Sequence, residues 1–188
     1  MPHLTLFATA IGPCALIWQG EAIIGAQLPE RDDMAAMRRL RARFPDADET
    51  DPPSFIEAAM ADIVALLSGE KRDLSHLPIA LDAVPAFNRR VYEVALTIPP
   101  GETLTYGEVA ARIGEPGAAR AVGVALGQNP FAPIVPCHRV LAASGKTGGF
   151  SAEGGVETKL RMLTIEKART NAQPGLFEAL PLEARRRT

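Results

Sequence analysis

Between residues 4 and 27 the apolar positions come in three short runs, 4–8, 14–18 and 22–27. Ile11-Gly12-Pro13 and Gln19-Gly20-Glu21 separate them. Short apolar runs bounded by Gly and Pro predict three strands of a small antiparallel sheet. The period then lengthens. Over residues 32–44, Met34, Met37, Leu40 and Phe44 share one helical stripe, with four arginines around it. Residues 45–53 are acidic and proline-rich, which predicts a surface loop. Ser54 with Glu57 three positions on reads as a capping box. It opens a helix to about residue 67, with Ile56, Met60, Ile63, Val64 and Leu67 inward and Gly69 closing it. Residues 74–81 read as an extended connector with a strand, and a domain boundary is expected at about residue 84.

The second half has helical spacing. Residues 86–96 place Phe87, Val91, Val94 and Ala95 inward, and Ile98-Pro99-Pro100-Gly101 stops the helix. Thr105 and Glu108 form a second capping-box pattern, opening a helix over 106–113. After a turn at 114–117 a further helix is expected over 118–126, ended by Gly127. Two short helices joined by a Gly-containing turn give a helix-turn-helix outline. The second of them is slim: Ala118, Ala119, Ala121, Gly123 and Ala125 leave little side-chain bulk around Arg120. Such a helix suits close packing in a core, and it also suits close approach to a duplex. Residues 142–151 are Gly-rich. A last helix over 156–168 turns Leu160, Leu163 and Ile165 inward and carries Glu166 near its end. Residues 169–188 lack periodicity and read as a peripheral tail.

Composition narrows the class. The 188 residues are 47% hydrophobic and 22% charged, as in a globular chain. No apolar run is long enough for a membrane span, and the N-terminus lacks a basic segment ahead of an apolar one, so a cytoplasmic protein is expected. Cys14 and Cys137 stand in unrelated contexts and read as free thiols. With neither in a CxxC pair and His3, His76 and His138 scattered, no metal and no cofactor is expected. The net charge of −2 is unevenly spread: the first 84 residues carry 7 basic against 13 acidic side chains. An anionic partner would therefore dock on the second half.

The candidate chemistry sits in Val135-Pro136-Cys137-His138-Arg139-Val140. Thiolate is the reactive form of cysteine, and an adjacent imidazole raises its fraction. Pro136 stiffens the approach to Cys137. A buried structural cysteine beside a surface histidine fits the hexapeptide alone equally well. Cys14, at a strand start, reads as structural.

Tyr106-Gly107-x-Val109-Ala110, Ala119-Arg120-Ala121-Val122-Gly123, Asn129-Pro130 and Pro136-Cys137-His138-Arg139-Val140 occur in the order and spacing of the O6-alkylguanine-DNA alkyltransferases, also called methylated-DNA–protein-cysteine methyltransferases. Residues 85–168 resemble that family closely, and residues 1–84 in layout. The resemblance implies an α/β domain of ribonuclease-H-like type, with a three-stranded sheet, over 1–84. It implies an α domain with the helix-turn-helix over 85–168. It implies double-stranded DNA containing O6-alkylguanine as partner, no membrane, a monomer, and O4-alkylthymine as a second substrate. The second helix would enter the minor groove, which is about 6 Å wide, with Ala118, Ala119, Ala121 and Gly123 facing it. The damaged base would be flipped out of the stack.

By position, Cys137 matches the alkyl acceptor and His138 the base that takes its proton through a water. Glu166 matches the carboxylate that orients the imidazole, and Asn129 the brace of the active-site turn. Tyr106 matches the tyrosine that protonates the leaving guanine, and Arg120 the residue that fills the vacated stack. Ser151 matches a backbone N–H donor to the guanine oxygen, and Val140 a carbonyl acceptor from the exocyclic amine. Phe150 stands where a tyrosine is common, and Ala152-Glu153 lengthen the loop beside it. Gly127 replaces a basic residue of some relatives, and the N-terminal zinc ligands of others are absent. Nothing regenerates the thiol, so one turnover per molecule is implied. Two other readings stay open: a cysteine hydrolase using the same Cys137–His138 pair, and a damage-sensing module that binds without transfer.

Overall fold

A computed structural model of the chain describes residues 1–143 and 147–168. Its first part is built on a sheet of β1 (His3–Thr9), β2 (Gly12–Gln19), β3 (Ala22–Gln27) and β4 (Asp48–Glu49), in the order β3-β2-β1-β4. The first three strands are antiparallel neighbours, as expected. The fourth is a correction: two residues of the expected acidic loop run parallel to β1, His3 opposite Asp48. Proline flanks this piece on both sides but not within it, so its N–H groups can join the ladder.

The central strand β2 is buried on both faces. Ala15 and Ile17 pack with Leu4 against Leu40 of α1 (Asp33–Arg43). Cys14, Leu16 and Trp18 point the other way, into a core with Ile56, Ala59 and Ile63 of α2 (Ser54–Leu67). Period-2 alternation therefore feeds two helix layers. On α1 the buried residues are Ala36 and Leu40, while Met34 is 72% exposed, against the expected stripe. The cap comes from Asp32, whose side chain accepts from Ala35 N. The expected box at Ser54 does not form. Pro53 is the N-cap and its carbonyl already accepts from Ile56 and Glu57, so Ser54 lies inside the helix. The 74–81 connector touches the sheet at a single bridge, Ile23 to Ile79, and is followed by a 3-10 turn at Leu81–Ala83 rather than a strand.

The larger core continues without a break into the second part, through Val91, Tyr92 and Ala95 of α3 (Ala86–Leu96) and Val122, Ala125 and Leu126 of α5 (Ala119–Gly127). Tyr92 was not among the residues expected inward; its hydroxyl donates to Ala125 O at 2.8 Å, which ties α3 to α5. Helix α5 begins one residue later than expected and runs through Gly127 to a cap at Gln128. Strands β5 (Leu104–Thr105) and β6 (Val140–Leu141) form a parallel pair of two residues each; β-branched Val140 is an extended piece leaving the Cys137 turn, while its pairing with β5 is too short for a periodic signal. Helix α6 (Val156–Ile165) is shorter than expected, and it buries Lys159, Met162 and Leu163 where Leu160 and Ile165 are only half-buried. The expected tail lies outside the described residues, as does Gly145 of the Gly-rich loop. No helix among the described residues is long and apolar enough to cross a membrane.

The second capping box is formed in full. Thr105 Oγ1 accepts from Glu108 N, and the Glu108 carboxylate accepts from Thr105 N at 2.6 Å, opening α4 (Tyr106–Arg112). This fixes the backbone entry of Tyr106, the first residue of α4. Thr105→Ala is expected to cost about 1 kcal/mol, read as a lower urea midpoint, with Thr105→Ser close to the unaltered protein.

Candidate active site

The turn that carries the sulfur is held by backbone and amide bonds before any chemistry is considered. Asn129 Nδ2 donates to Val135 O at 2.8 Å, and Asn129 Oδ1 accepts from Phe131 N at 2.9 Å. One side chain thus closes the loop 129–135 from both ends. Cys137 N then donates to Val135 O, and residues Cys137–Arg139 form a 3-10 turn leading into β6.

Cys137 is 7% exposed, yet it lies in the wall of a cavity of about 490 Å³. Tyr106 of α4, with Ala119, Arg120 and Gly123 of α5, forms one side. Phe150 and Ser151 form the other. The sulfur is therefore reached from the Arg120 face. Arg120 itself is exposed at the rim. Tyr106 lies against Gly148, where an added Cβ would stand 2.8 Å from the phenol oxygen; Gly148 also has φ +68°, so glycine is required there twice over.

Behind the sulfur, His138 is fully buried and Nε2 meets Glu166 Oε1 at 2.9 Å. Glu166 caps α6. Its other oxygen accepts from Arg139 Nε at 2.9 Å, and Oε1 also accepts from Arg139 Nη2 at 2.8 Å. Arg139 Nη1 reaches Ile98 O at 2.6 Å. Burial alone would raise the Glu166 pKa, but the bonds from His138 and Arg139 outweigh it and bring it down to about 2. Burial pushes the His138 pKa down, with Glu166 opposing. The ring is thus neutral at rest with Nε2–H donating to the carboxylate, which leaves Nδ1 as the acceptor. That Nδ1 is buried and has no partner among the described residues.

Sequence reasoning expected the imidazole to raise the thiolate fraction. The structure differs: burial pushes the Cys137 pKa up, with the Asn129 side chain and the Lys159 charge opposing. The resting group is a thiol, whose proton must leave when the chemistry begins. Burial, and secondarily Cys137, also raises the Tyr106 pKa, so its hydroxyl stays a donor.

The other candidates fall in different places. Val140 is buried and its carbonyl accepts from Lys159 Nζ at 2.6 Å. Ala118 is the half-buried N-cap of α5, and Ala121 is exposed on the helix outside the cavity wall. Three residues were missed. Arg139 was quoted without a role. Lys159 has no mark of burial in the sequence, where a lysine in an amphipathic helix reads as solvated; burial lowers its pKa to about 8, with Cys137 opposing, and Nζ lies 5.7 Å from the Tyr106 ring centre. Val124, 56% exposed, lines the cavity from α5. Its signal was available, since it stands one turn from Arg120 on the same face. Among the described residues no group of three His, Cys, Asp or Glu could hold a metal ion.

Comparison with known proteins agrees with this picture. Residues 86–168 match the family model described as the DNA binding domain of 6-O-methylguanine DNA methyltransferase. The methylated-DNA–protein-cysteine methyltransferase of Mycobacterium tuberculosis (strain H37Rv) is 38% identical over 179 residues, 95% of this chain and 100% of that protein. That of Mycobacterium leprae is 36% identical over 185 residues. The crystal structure of Mycobacterium tuberculosis O6-methylguanine methyltransferase superposes with a TM-score of 0.71 at 38% identity, covering 92% of this chain and 97% of that one. Mycobacterium tuberculosis OGT in complex with DNA gives 0.70 at 38% identity, over 88% and 92%. The likeness extends past the matched helical part into the sheet, and the chain belongs to the methylated-DNA–protein-cysteine methyltransferase family.

Proposed function

We propose that this protein repairs DNA by flipping O6-alkylguanine out of a duplex and transferring the alkyl group to Cys137, once per molecule. The observation that carries this reading is a buried cysteine in the wall of the cavity formed by Tyr106 and α5, with a His–Glu pair next to it in the chain and a slim cationic helix in front. The N-terminal part, residues 1–84, acts as a ribonuclease-H-like α/β unit, and residues 85–168 as the DNA-binding and acceptor domain. Helices α4 and α5 serve as the helix-turn-helix. The protein works as a cytoplasmic monomer, with O4-alkylthymine as a second substrate.

In the reaction the Cys137 proton passes to His138 Nδ1, in this family by way of a water, and Glu166 offsets the imidazolium charge. The sulfur attacks the alkyl carbon in line. The S–C bond forms as the C–O6 bond breaks, and the electron pair goes to the purine. Tyr106 O–H supplies the proton that lets guanine leave neutral, and the imidazolium proton restores the balance. Ser151 N–H holds the base edge, joined by the Val140 carbonyl through the lone pair that Lys159 Nζ does not occupy, while Phe150 walls the pocket and Asn129 keeps the turn rigid. Arg120 occupies the vacated stack, while Ala118, Ala119, Ala121 and Gly123 let α5 sit deep in the groove. No carbonyl develops charge, so no oxyanion hole is needed. A cysteine hydrolase would need one, and it would leave Arg120 and the small residues of α5 without a task. A damage sensor would have no use for the array behind the sulfur.

Weighing the intact protein after mixing with an O6-methylguanine duplex is expected to show a stable methyl adduct on Cys137; turnover without adduct would refute transfer. Cys137→Ser is expected to abolish the adduct while retaining DNA binding. Arg120→Ala is expected to slow repair in duplex by about tenfold to a hundredfold, the scale of unstacking a base, and to change reaction with free O6-methylguanine far less. Equal losses would remove the flipping role. For pH, the ionised Glu166 favours the imidazolium that forms when the thiol loses its proton. In Glu166→Gln that charge is gone, the proton stays on sulfur to higher pH, and the pH–rate curve for thiol alkylation shifts upward. An unshifted curve would exclude the relay.

A further inference from the structure

Helix α5 turns one narrow stripe outward. Arg120, Ala121, Val124, Gly127 and Gln128 are exposed, while Val122, Ala125 and Leu126 are buried. The outward positions follow the helical repeat, so they share one face. Gln128 accepts from Asn88 Nδ2 at 3.1 Å and is drawn toward α3. Between it and Arg120, Ala121 and Gly127 add almost no bulk, and Val124 is the one branched side chain.

A lone exposed valine is ordinary on a protein surface. This one is 56% exposed and belongs to the wall of the Cys137 cavity, with Arg120 and Gly127. The other large apolar side chains exposed among the described residues, Met1, Met34 and Val156, are outside that wall. An isopropyl group therefore stands at the entry to the reactive site, on the face that meets the duplex in the reading above.

An α-helix rises about 1.5 Å per residue, which sets Val124 about 6 Å from Arg120 along the axis. Stacked base pairs are about 3.4 Å apart. With Arg120 in the vacated stack, Val124 meets a pair no more than two steps away. Every pair shows acceptors at the minor-groove floor, and G·C adds the guanine 2-amino donor. An isopropyl group offers that donor no acceptor and excludes the water that would serve it. A buried donor left without a partner costs free energy. Resting on the alkyl-transfer reading and the groove entry of α5, we propose that Val124 sets a sequence-context preference: lesions flanked by pairs that lack the 2-amino group are repaired faster than lesions flanked by G·C. Transfer to Cys137 itself proceeds as described above.

The test uses the full chain and two duplexes, each carrying one O6-methylguanine. In one, the two pairs on either side of the lesion are G·C; in the other, each guanine of those pairs is replaced by inosine, which lacks only the 2-amino group. Second-order methyl-transfer rates are read by intact mass at sub-saturating DNA. The ratio of the inosine rate to the guanine rate is compared between proteins, because differences in duplex stability are common to all of them. The ratio in the unaltered protein is expected to exceed that in Val124→Ala about fivefold, the scale of one unmade hydrogen bond. Val124→Thr keeps the shape and adds a hydroxyl that accepts from the amine, so its ratio is expected to fall toward that of Val124→Ala. Circular dichroism reports that both variants are folded. A ratio no higher in the unaltered protein than in Val124→Ala overturns the proposal. A Val124→Thr ratio as high as that of the unaltered protein overturns it as well. Absence of methyl transfer from both duplexes overturns the alkyl-transfer reading itself, a distinct outcome.

Discussion

The site is organised by one buried carboxylate. Glu166 receives His138 on one oxygen and the Arg139 fork across both, at 2.8–2.9 Å. It stands at the C-terminal end of α6, while its partners are consecutive residues of the 3-10 turn. The pair of elements is therefore fixed in angle as well as distance, because a bidentate guanidinium tolerates little rotation. Arg139 extends the clamp to the Ile98 carbonyl, just past the end of α3. A buried ion pair rarely adds much net stability over an apolar replacement, but removing one partner is costly, since the other charge is left uncompensated. The clamp is better understood as a device of position. It holds Nε2 of a neutral imidazole on a negative charge and leaves Nδ1 without a partner among the described residues.

That arrangement explains why a sulfur with a raised pKa suits this chemistry. A permanently ionised Cys137 would react with any electrophile that entered the cavity, and a protein that acts once could not recover. Burial keeps the sulfur protonated, and it keeps the neighbouring His138 ring neutral against the pull of Glu166. Lys159 adds a second brake of opposite sign. Its ammonium is buried against the Val140 carbonyl, with no carboxylate partner among the described residues, and the Cys137 charge is what favours it.

Much of this was legible in the chain. Strand runs broken by Gly and Pro gave β1 to β3, and the Thr105–Glu108 box placed α4, because both signals are local. The family resemblance named Glu166 as the partner of His138 across 28 positions, and the two side chains meet at 2.9 Å. What failed was settled mostly by neighbours distant in sequence, with Ser54 the local exception. Ser54 looked like a cap until Pro53 took the role with its carbonyl. Met34 fits a stripe, yet the sheet accepts Ala36 and Leu40 instead. Lys159 carries no local mark of burial; only the Val140 carbonyl and the Tyr106 ring explain where it lies. Strands β4, β5 and β6 are two residues long and exist because a partner edge reaches them.

The sheet part has a clear mechanical reason to be present. Ala26 N donates to Pro130 O at 2.8 Å, so β3 is bonded to the residue following Asn129. Arg161 of α6 donates to Ala10 O at 2.8 Å, between β1 and β2. The turn that presents Cys137 and the helix that carries Lys159 and Glu166 are therefore each tied to the same sheet. A continuous apolar core fills the space between. Without that backing, the loop 129–135 would be held by the Asn129 side chain and its own Val135 N–Phe131 O bond alone. The acidic N-terminal half, which carries no candidate catalytic group, is in this sense the rigid support against which the reactive turn is set.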